Sequence, residues 1–420
     1  MKEKQLLNYF ILTIFLGFAL SFKLLGINCR PNFIFVAIMS PYVIYNRHYF
    51  TNHIIPYKNS LILFVLIYFL STLINSGSAF FKNGVIAGLL LVVLYLHYVI
   101  TNLLLKNSII SSFEKIVDNL ITLGTFYGVV VTSGVFLSLL GITDRLVATN
   151  WLVAIKGFTP TKGPISGYGP IAAAYLSVIA TLTFGKILEE KGRKVLIGVI
   201  KFSIMVFAII NSYSRTSWLA LIIGIILLYF FRLSSSNKKN IRNIIYVIFT
   251  LITILFLLNK YFNTYFLIFL AKLNLLFDSD TGTGFTRILL WKDMLTDIGN
   301  NPILGLGGSA FLKYITFTGE PSENFFIEIL HSEGILGALF LFIPIFLIII
   351  RSIKNIKQAR NQKYRNLLVL LFSAFISLLI SAQVTPAAWG GFFWFFMGLL
   401  VSVNTIGNNV NLEKCIIIKK

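Results

Sequence analysis

Long apolar runs, separated by short polar segments, follow one another along almost the whole chain. The runs are continuous, so they lack the alternation with a period of two that a membrane β-barrel needs. A helix takes roughly 20 residues to cross a hydrocarbon core about 30 Å thick, and runs of that length recur. The pattern predicts an all-α polytopic membrane protein with about 12 transmembrane helices, within a range of about eleven to thirteen.

The predicted helices share high hydropathy and clear polar boundaries. They lie near residues 6–22, 32–46, 60–76, 84–105, 116–141, 167–188, 195–213, 216–231, 241–259, 324–350, 367–384 and 388–405. Together they predict a single integral-membrane domain over residues 1–420. Two longer polar segments interrupt the series, at 142–166 and 260–323.

Composition and charge agree with this class. The chain is 57% hydrophobic and only 12% charged, whereas a soluble domain is about a quarter charged. Basic residues concentrate in alternate loops, which predicts that both termini are cytoplasmic and that loops 142–166 and 260–323 face outward from a bacterial inner membrane. The net charge of +21 suits anionic lipid, and no basic stripe interleaved with aromatics indicates a nucleic-acid partner.

Several other kinds of chemistry have no support in the sequence. Cys29 and Cys415 are predicted on opposite sides of the membrane, which excludes a disulfide between them and a cysteine metal site. The chain contains no Walker loop and no dinucleotide fingerprint, and it has no clear internal repeat. Nucleotide-driven transport is therefore not indicated.

Ionisable residues in the tenth predicted helix are the first candidates for function. Glu328, His331 and Glu333 would each cost roughly 2.5–3.5 kcal/mol at a lipid-facing membrane centre. Asn324, Glu328 and His331 are spaced i, i+4, i+7 and share one helix face, which we expect to point into the bundle or a wet cavity. That face is either a polar seam that joins helices or an acid/base site, and the spacing alone favours neither.

Two arginines stand on the predicted outer side. Arg215 and Arg287 are ordinary interfacial residues when each is considered alone, but a guanidinium also offers forked donors that match phosphate oxygens. Arg287 opens a run whose apolar positions 288, 291, 294 and 295 predict an amphipathic helix on the outer leaflet. Two arginines beside an intramembrane acid favour an anionic, lipid-linked substrate.

Five motifs follow one another in the second half of the chain: Ser214-Arg215-Thr216, Arg287 with Trp291, Pro302-Ile303-Leu304-Gly305-Leu306-Gly307, Asn324 and Gly334-Ile335-Leu336-Gly337. Their order resembles the superfamily of O-antigen ligases and O-antigen polymerases, which are multi-spanning glycosyltransferases with a large outward loop. A glycine-rich segment at 157–170, which contains Tyr168, looks like the one found in that superfamily.

The resemblance implies transfer of a glycan from polyprenyl diphosphate (undecaprenyl diphosphate) onto a lipid-linked repeat unit of O-antigen lipopolysaccharide or capsule. Arg215 and Arg287 would bind the diphosphate, so no metal and no cofactor are expected. Glu323, or failing it Glu328, would be the base, with His331 as an alternative. Trp291, Asn324, Gly305, Gly307 and Tyr168 are expected in the substrate loops. A chain-length regulator and a flippase of the same pathway are the implied protein partners, beside membrane lipid.

One departure bears on the choice within the superfamily. Members often carry a histidine immediately before the asparagine that starts the tenth span, and this chain has Glu323 there. Ligases are thought to rely on that histidine, so the sequence favours a polymerase. The alternatives are a ligase, a flippase for lipid-linked oligosaccharides and a catalytically silent scaffold. Long loops on one face favour the enzyme over the flippase.

Overall fold

The structure is a computed structural model, and the statements below concern the residues that it describes. Those residues are 3–19, 22–24, 27–29, 31–45, 55–106, 108–139, 169–212, 214–232, 283–310, 324–383 and 390–417. The predicted outer loop 142–166, the ninth predicted helix at 241–259 and most of the loop 260–323 lie outside this set.

The described part of the chain is almost entirely α-helical. Its helices are α1 (Glu3–Ala19), α2 (Pro31–Tyr45), α3 (Lys58–Asn75), α4 (Ser78–Leu104), α5 (Ile110–Leu139), α6 (Gly169–Glu189), α7 (Arg193–Asn211), α8 (Arg215–Arg232), α9 (Thr283–Asn300), α10 (Phe325–Gln358), α11 (Gln362–Ser381) and α12 (Gly391–Ile417). Every predicted helix that falls within the described residues is present, which confirms the all-α prediction.

Length and hydropathy qualify six of the described helices as candidate membrane spans. These segments are Lys58–Asn75, Phe81–Leu104, Ile110–Ser133, Arg215–Arg232, Phe325–Gln358 and Gln362–Ser381. An α-helix pairs its internal backbone hydrogen-bond groups within one segment, which is what a hydrocarbon environment requires, and α10 is the one of these six helices whose interruption is described below. The protein is therefore an all-α polytopic membrane protein.

A short β-hairpin follows α1 and was not predicted. Strands β1 (Phe22–Leu24) and β2 (Ile27–Cys29) pair antiparallel, with Phe22 opposite Cys29. The first apolar run was predicted to stay helical to residue 22, but α1 ends at Ala19. Two strands of three residues are too short to produce a readable alternation, so periodicity could not find them.

The chain divides into two compact units. The first comprises residues 1–32, 109–278 and 361–381, and the second comprises 33–108, 279–360 and 382–420. In the first unit, α6 packs against α5, α7, α8 and α11. Small residues allow this close approach: the Ser177 hydroxyl lies 3.4 Å from the Ser377 and Ser381 hydroxyls.

In the second unit, α3 packs against α10, α4 against α12, and α9 against α10. A buried polar network ties α10 to α12 at the ends distant from α9. Asn404 donates to the Ser352 hydroxyl at 2.8 Å, and Asn355 donates to the Asn404 side-chain oxygen at 2.9 Å. This unit contains the candidate site.

A leucine in place of Gly224 should destabilise the first unit. A Cβ at this position would come 2.6 Å from Thr181 Oγ1, so a larger side chain overpacks the contact of α8 with α6. Overpacking of this kind costs about 1–3 kcal/mol, which a thermal melt in detergent would detect. Leu219→Ala on the exposed side of α8 is the matched control and should leave the melting temperature nearly unchanged. Equal melting of both variants would contradict the packing.

Candidate functional site

Helix α10 is broken at Gly334. This residue has φ 63° and ψ −167°, which no α-helix accommodates. In a continuous helix the amides of Ile335 and Leu336 would donate to the carbonyl oxygens of His331 and Ser332. The break separates both pairs, and it does so in a segment apolar enough to span a membrane. Four backbone groups therefore need other partners.

Residues 302–307, which we call the break loop, supply all four partners. Two carbonyl oxygens of the loop accept from the α10 amides, and two loop amides donate to the α10 carbonyl oxygens. The bonds run from Ile335 N to Pro302 O (2.8 Å), Leu336 N to Ile303 O (3.2 Å), Leu306 N to His331 O (2.8 Å) and Gly307 N to Ser332 O (2.8 Å). The loop thus replaces the two helical hydrogen bonds that the break removes.

Glycine is required at two of these positions. Gly334 adopts a backbone conformation that is essentially restricted to glycine, and a Cβ there would clash with Ile303 O and lie 2.7 Å from Gly305 N. Gly305 has φ 67°, and its Cβ would lie 2.7 Å from His331 O. The sequence predicted Gly305 and Gly307 as substrate-loop residues, and the structure gives both a role in holding the helix break.

Helix α3 holds the break loop from its other side. The side-chain amide of Asn75 donates to Gly305 O at 2.7 Å, and the amide of Gly308 donates to Thr72 Oγ1 at 3.1 Å. The Ser71 hydroxyl donates to Ser332 O at 3.2 Å, next to the break itself. The break loop is therefore bonded to two candidate membrane spans at once.

Helix α9 leads into the break loop and runs parallel to the first part of α10. Leu290 and Met294 form a buried pair against which Ile327 packs, and one turn further Asp297 meets His331. The contacts advance in the same direction along both helices, which defines the parallel arrangement. The helix predicted for this run is confirmed, and its place on the outer leaflet stays a prediction. Of its predicted apolar positions, Met294 is buried, while positions 288 and 295 are exposed.

Asp297 and His331 form a partly buried ion pair or hydrogen bond. The distance from His331 Nε2 to Asp297 Oδ2 is 3.1 Å, and the side chains are 0% and 17% exposed respectively. His331 was a predicted catalytic candidate, whereas Asp297 was missed. Asp297 follows Leu290 and Met294 at the spacing i, i+4, i+7, so the one-face rule applied to α10 would also have found it on α9.

Asn324 and Glu328 lie at the start of α10. Asn324 is the N-cap residue, and its Oδ1 accepts from the amide of Ile327 at 3.1 Å. Glu328 is buried in the first turn, where a carboxylate is favoured by the helix dipole. The prediction that the face of Glu328 and His331 points inward is confirmed by their burial. Trp291 is partly buried against the Leu290–Met294 pair.

Glu333 precedes the break and is the most deeply buried carboxyl group of the described residues. It is fully buried, and neither carboxyl oxygen has a hydrogen-bond partner. Gly337 leaves room for it, because a Cβ at that position would come 2.7 Å from Glu333 Oε2. An ionisable residue inside a membrane span is expensive and is by default a candidate for function.

The remaining predicted residues are Arg215 in the first unit, Arg287 in α9 and two residues outside the described part of the chain. Arg215 is half-buried at the first turn of α8, in the first unit, after Ser214, whose hydroxyl lies 2.8 Å from that of Ser217. Arg287 lies within α9, but its side chain is not among those described. Glu323 and Tyr168 lie outside the described residues. Proximity of Arg215 to Arg287 stays a prediction.

Gly334→Ala should disrupt the backbone turn at residue 334 and its packing against the break loop. An alanine there costs about 1–3 kcal/mol from its backbone conformation, in addition to the clash with Ile303 O. We expect a lower melting temperature in detergent and a lower yield of folded protein. Gly299→Ala is the matched control, because nothing lies near a Cβ at that position. An unchanged Gly334→Ala variant would show that the break does not form.

The contact between Asp297 and His331 should appear as a coupling in a double-mutant cycle. Asp297→Ala and His331→Ala should each lower the stability of the protein, and the double variant should lose less than the sum. Coupling between contacting polar groups is about 0.5–3 kcal/mol. Thermal melts of the four proteins measure it, and additive losses would mean that the two side chains do not interact.

A comparison with protein families identifies the segment that contains these features. Residues 200–343 match the model of the family described as O-antigen ligase. The match begins within α7, includes Arg215, α9 and the break loop, and ends within α10 beyond the break. No curated protein matches the chain. This match over residues 200–343 supports the resemblance of the chain to the superfamily of O-antigen polymerases and ligases.

Proposed function

We propose that this protein is a surface-polysaccharide polymerase. It moves a growing O-antigen or capsule glycan from polyprenyl diphosphate onto a lipid-linked repeat unit at the outer face of a bacterial inner membrane. The observation that carries the proposal is the break loop. Within the matched family segment it is bonded into α10, which carries the buried residues Glu328 and His331 and contacts the partly buried Asp297.

The reaction needs a base and a stabiliser of the departing diphosphate. The acceptor hydroxyl oxygen forms a bond to the anomeric carbon of the donor glycan, and the bond from that carbon to the diphosphate oxygen breaks. The hydroxyl proton passes to the base, and polyprenyl diphosphate leaves with the bonding electrons. Arg215 and Arg287 neutralise the charge that develops on the diphosphate, so the mechanism proceeds without a metal.

The register of α9 on α10 supports a shared site at one end of the helix pair. Arg287 precedes Asp297 by ten residues, or about 15 Å of helix, and Asn324 precedes His331 by seven, or about 10 Å. Because the helices are parallel, the backbone of Arg287 lies within about one turn of the level of Asn324. The backbone of the proposed phosphate-binding Arg287 therefore lies at the end of the helix pair where α10 begins, and the proposed base Glu323 immediately precedes Asn324 in the sequence.

Burial argues against two of the three candidates for the base, Glu328 and His331. The His331 side chain is inaccessible, and its Nε2 is already engaged by Asp297. Glu328 is also buried, in the first turn of α10. We therefore assign Glu323 as the base. Glu328 is the alternative, and His331 positions α9 through Asp297 instead of contacting the acceptor.

The ligase is the second candidate function, because the matched family is described by that name. A ligase would use the same donor and the same diphosphate-binding residues, with a lipid-core sugar as acceptor. The glutamate at position 323, where ligases are thought to rely on a histidine, favours the polymerase. The outward orientation of the loop, cytoplasmic termini, a flippase and a chain-length regulator belong to the same proposal.

Loss of either arginine or of the base should stop polymer formation. Arg215→Ala, Arg287→Ala and Glu323→Gln should each reduce polymer by at least about 100-fold, as expected when a stabiliser of developing charge or a general base is removed. Membrane levels of the protein should stay normal. Lys292→Ala is the matched control, because this exposed cation lies on the same helix as Arg287. Normal polymer in both arginine variants would refute diphosphate binding.

A gel of surface polysaccharide from cells with and without the gene separates the candidate functions. A single repeat unit on the lipid core after deletion identifies the polymerase. Full-length polymer that accumulates on polyprenyl diphosphate identifies the ligase. Single lipid-linked units retained on the cytoplasmic leaflet identify a flippase, and the assigned roles of Arg215, Arg287 and Glu323 would then be wrong.

A further inference from the structure

The depth of the helix break in the membrane follows from the distance along α10 between Gly334 and Arg351. Arg351 is the first charged residue after Gly334 and lies 17 residues beyond it, which is about 25 Å of helix. A hydrocarbon core is about 30 Å thick. If Arg351 marks one edge of the core, the other edge falls before Gly334, and the break lies inside the hydrocarbon region. We call the leaflet on that side the loop-side leaflet.

The exposed surface of α10 supports this depth. Between the break and Arg351, all large exposed side chains are apolar, and they form a row along the helix. The row consists of Ile335, Leu336, Leu339, Ile343, Phe346, Leu347 and Ile350. It begins immediately at the break, so lipid must reach the level of the break loop.

Helix α3 gives the same depth independently. Its exposed apolar side chains extend up to Leu73 and Ile74. The next residue, Asn75, donates to Gly305 O in the break loop. The apolar surface of this second candidate span thus ends at the level of the break loop, as does the row on α10.

The break loop meets the conditions for a non-helical segment at membrane depth. Two of its amides and two of its carbonyl oxygens bond to α10, and a third carbonyl oxygen, that of Gly305, accepts from Asn75 on α3. Irregular backbone is tolerated in hydrocarbon only when protein satisfies its polar groups. Ile303, in contrast, is 62% exposed, as much as Phe346 in the middle of the α10 row. Its backbone is bonded to Leu336, so it continues that row.

The exposed apolar surface continues from Ile303 onto the last turns of α9. Leu295 is 56% exposed, although Met294 beside it is fully buried against α10. Leu295 precedes Asp297, which contacts α10 at His331, only a few residues before the break. On another side of the helix Thr296 is exposed, so the solvent-accessible surface of α9 has an apolar and a polar side.

We propose that the end of α9 and the break loop form a re-entrant segment that contacts the acyl chains of the loop-side leaflet through Leu295 and Ile303. The occupant is bulk phospholipid, because the surface is continuous with the lipid-facing rows of α10 and α3. In this arrangement α9 stands between the acyl chains and the buried polar residues Glu328 and His331. The segment needs no substrate to enter the membrane.

Spin labels on single cysteines test the proposal in the full-length protein. In a Cys29→Ser, Cys415→Ser background, Leu295→Cys and Ile303→Cys are labelled and placed in liposomes of phospholipid only. Collision with oxygen should exceed collision with a water-soluble nickel chelate several-fold at both positions, as at Phe346→Cys. Thr296→Cys is the matched control on α9 and should show the reverse ratio.

Other outcomes would overturn the proposal. A nickel-accessible label at Leu295→Cys and Ile303→Cys, as at Thr296→Cys, would place the segment in water. Nickel access that disappears only when polyprenyl diphosphate is added would assign the surface to the substrate tail instead. A label protected from both reagents would indicate a protein partner. None of these results depends on the polymerase activity, so the proposal can fail while the proposed function stands.

Discussion

The structure around the candidate site depends on how one interrupted helix, α10, finds hydrogen-bond partners for its backbone amides and carbonyl oxygens in an apolar environment. Breaking α10 at Gly334 leaves two donors and two acceptors in a segment that is otherwise apolar enough to span a membrane. Each such group left without a partner in hydrocarbon costs several kcal/mol. The break loop removes that cost by supplying both carbonyl oxygens and both amides. Loop and break are therefore stable only together.

The hydrogen bonds between the break loop and α10 also determine where α9 lies. The chain enters the break loop from α9 and returns to α10, so α9 must lie beside the first part of α10. That position buries Met294 against Ile327 and brings Asp297 to His331. It also fixes the level of the Arg287 backbone, which lies one turn after the start of α9 at Thr283. The break loop thus sets the position of α9 against α10, and with it the contact of Asp297 with His331.

The polar groups near the break differ in how well they are satisfied. His331 and Asp297 compensate each other, and the hydroxyl of Ser332 donates to Glu328 O at 2.9 Å. Glu333 has no such partner, although it is fully buried. A protein at the margin of stability keeps such a group when it serves a purpose, since an apolar residue of similar size would be more stable. The carboxyl of Glu333 is therefore the local feature least explained by packing.

The sequence by itself determined that the protein is an all-α membrane protein, and it located the helices within the described residues, α9 included. It also determined that the face of Glu328 and His331 points inward. Hydrophobic periodicity and the cost of a charge in the membrane are local properties, so one segment is enough to reveal them. Tertiary structure alone decided that α9 runs parallel to α10, that Asp297 faces His331 and that the break loop replaces helical hydrogen bonds. Those features depend on contacts between segments about 30 residues apart, and periodicity within one segment carries no information about the register between two.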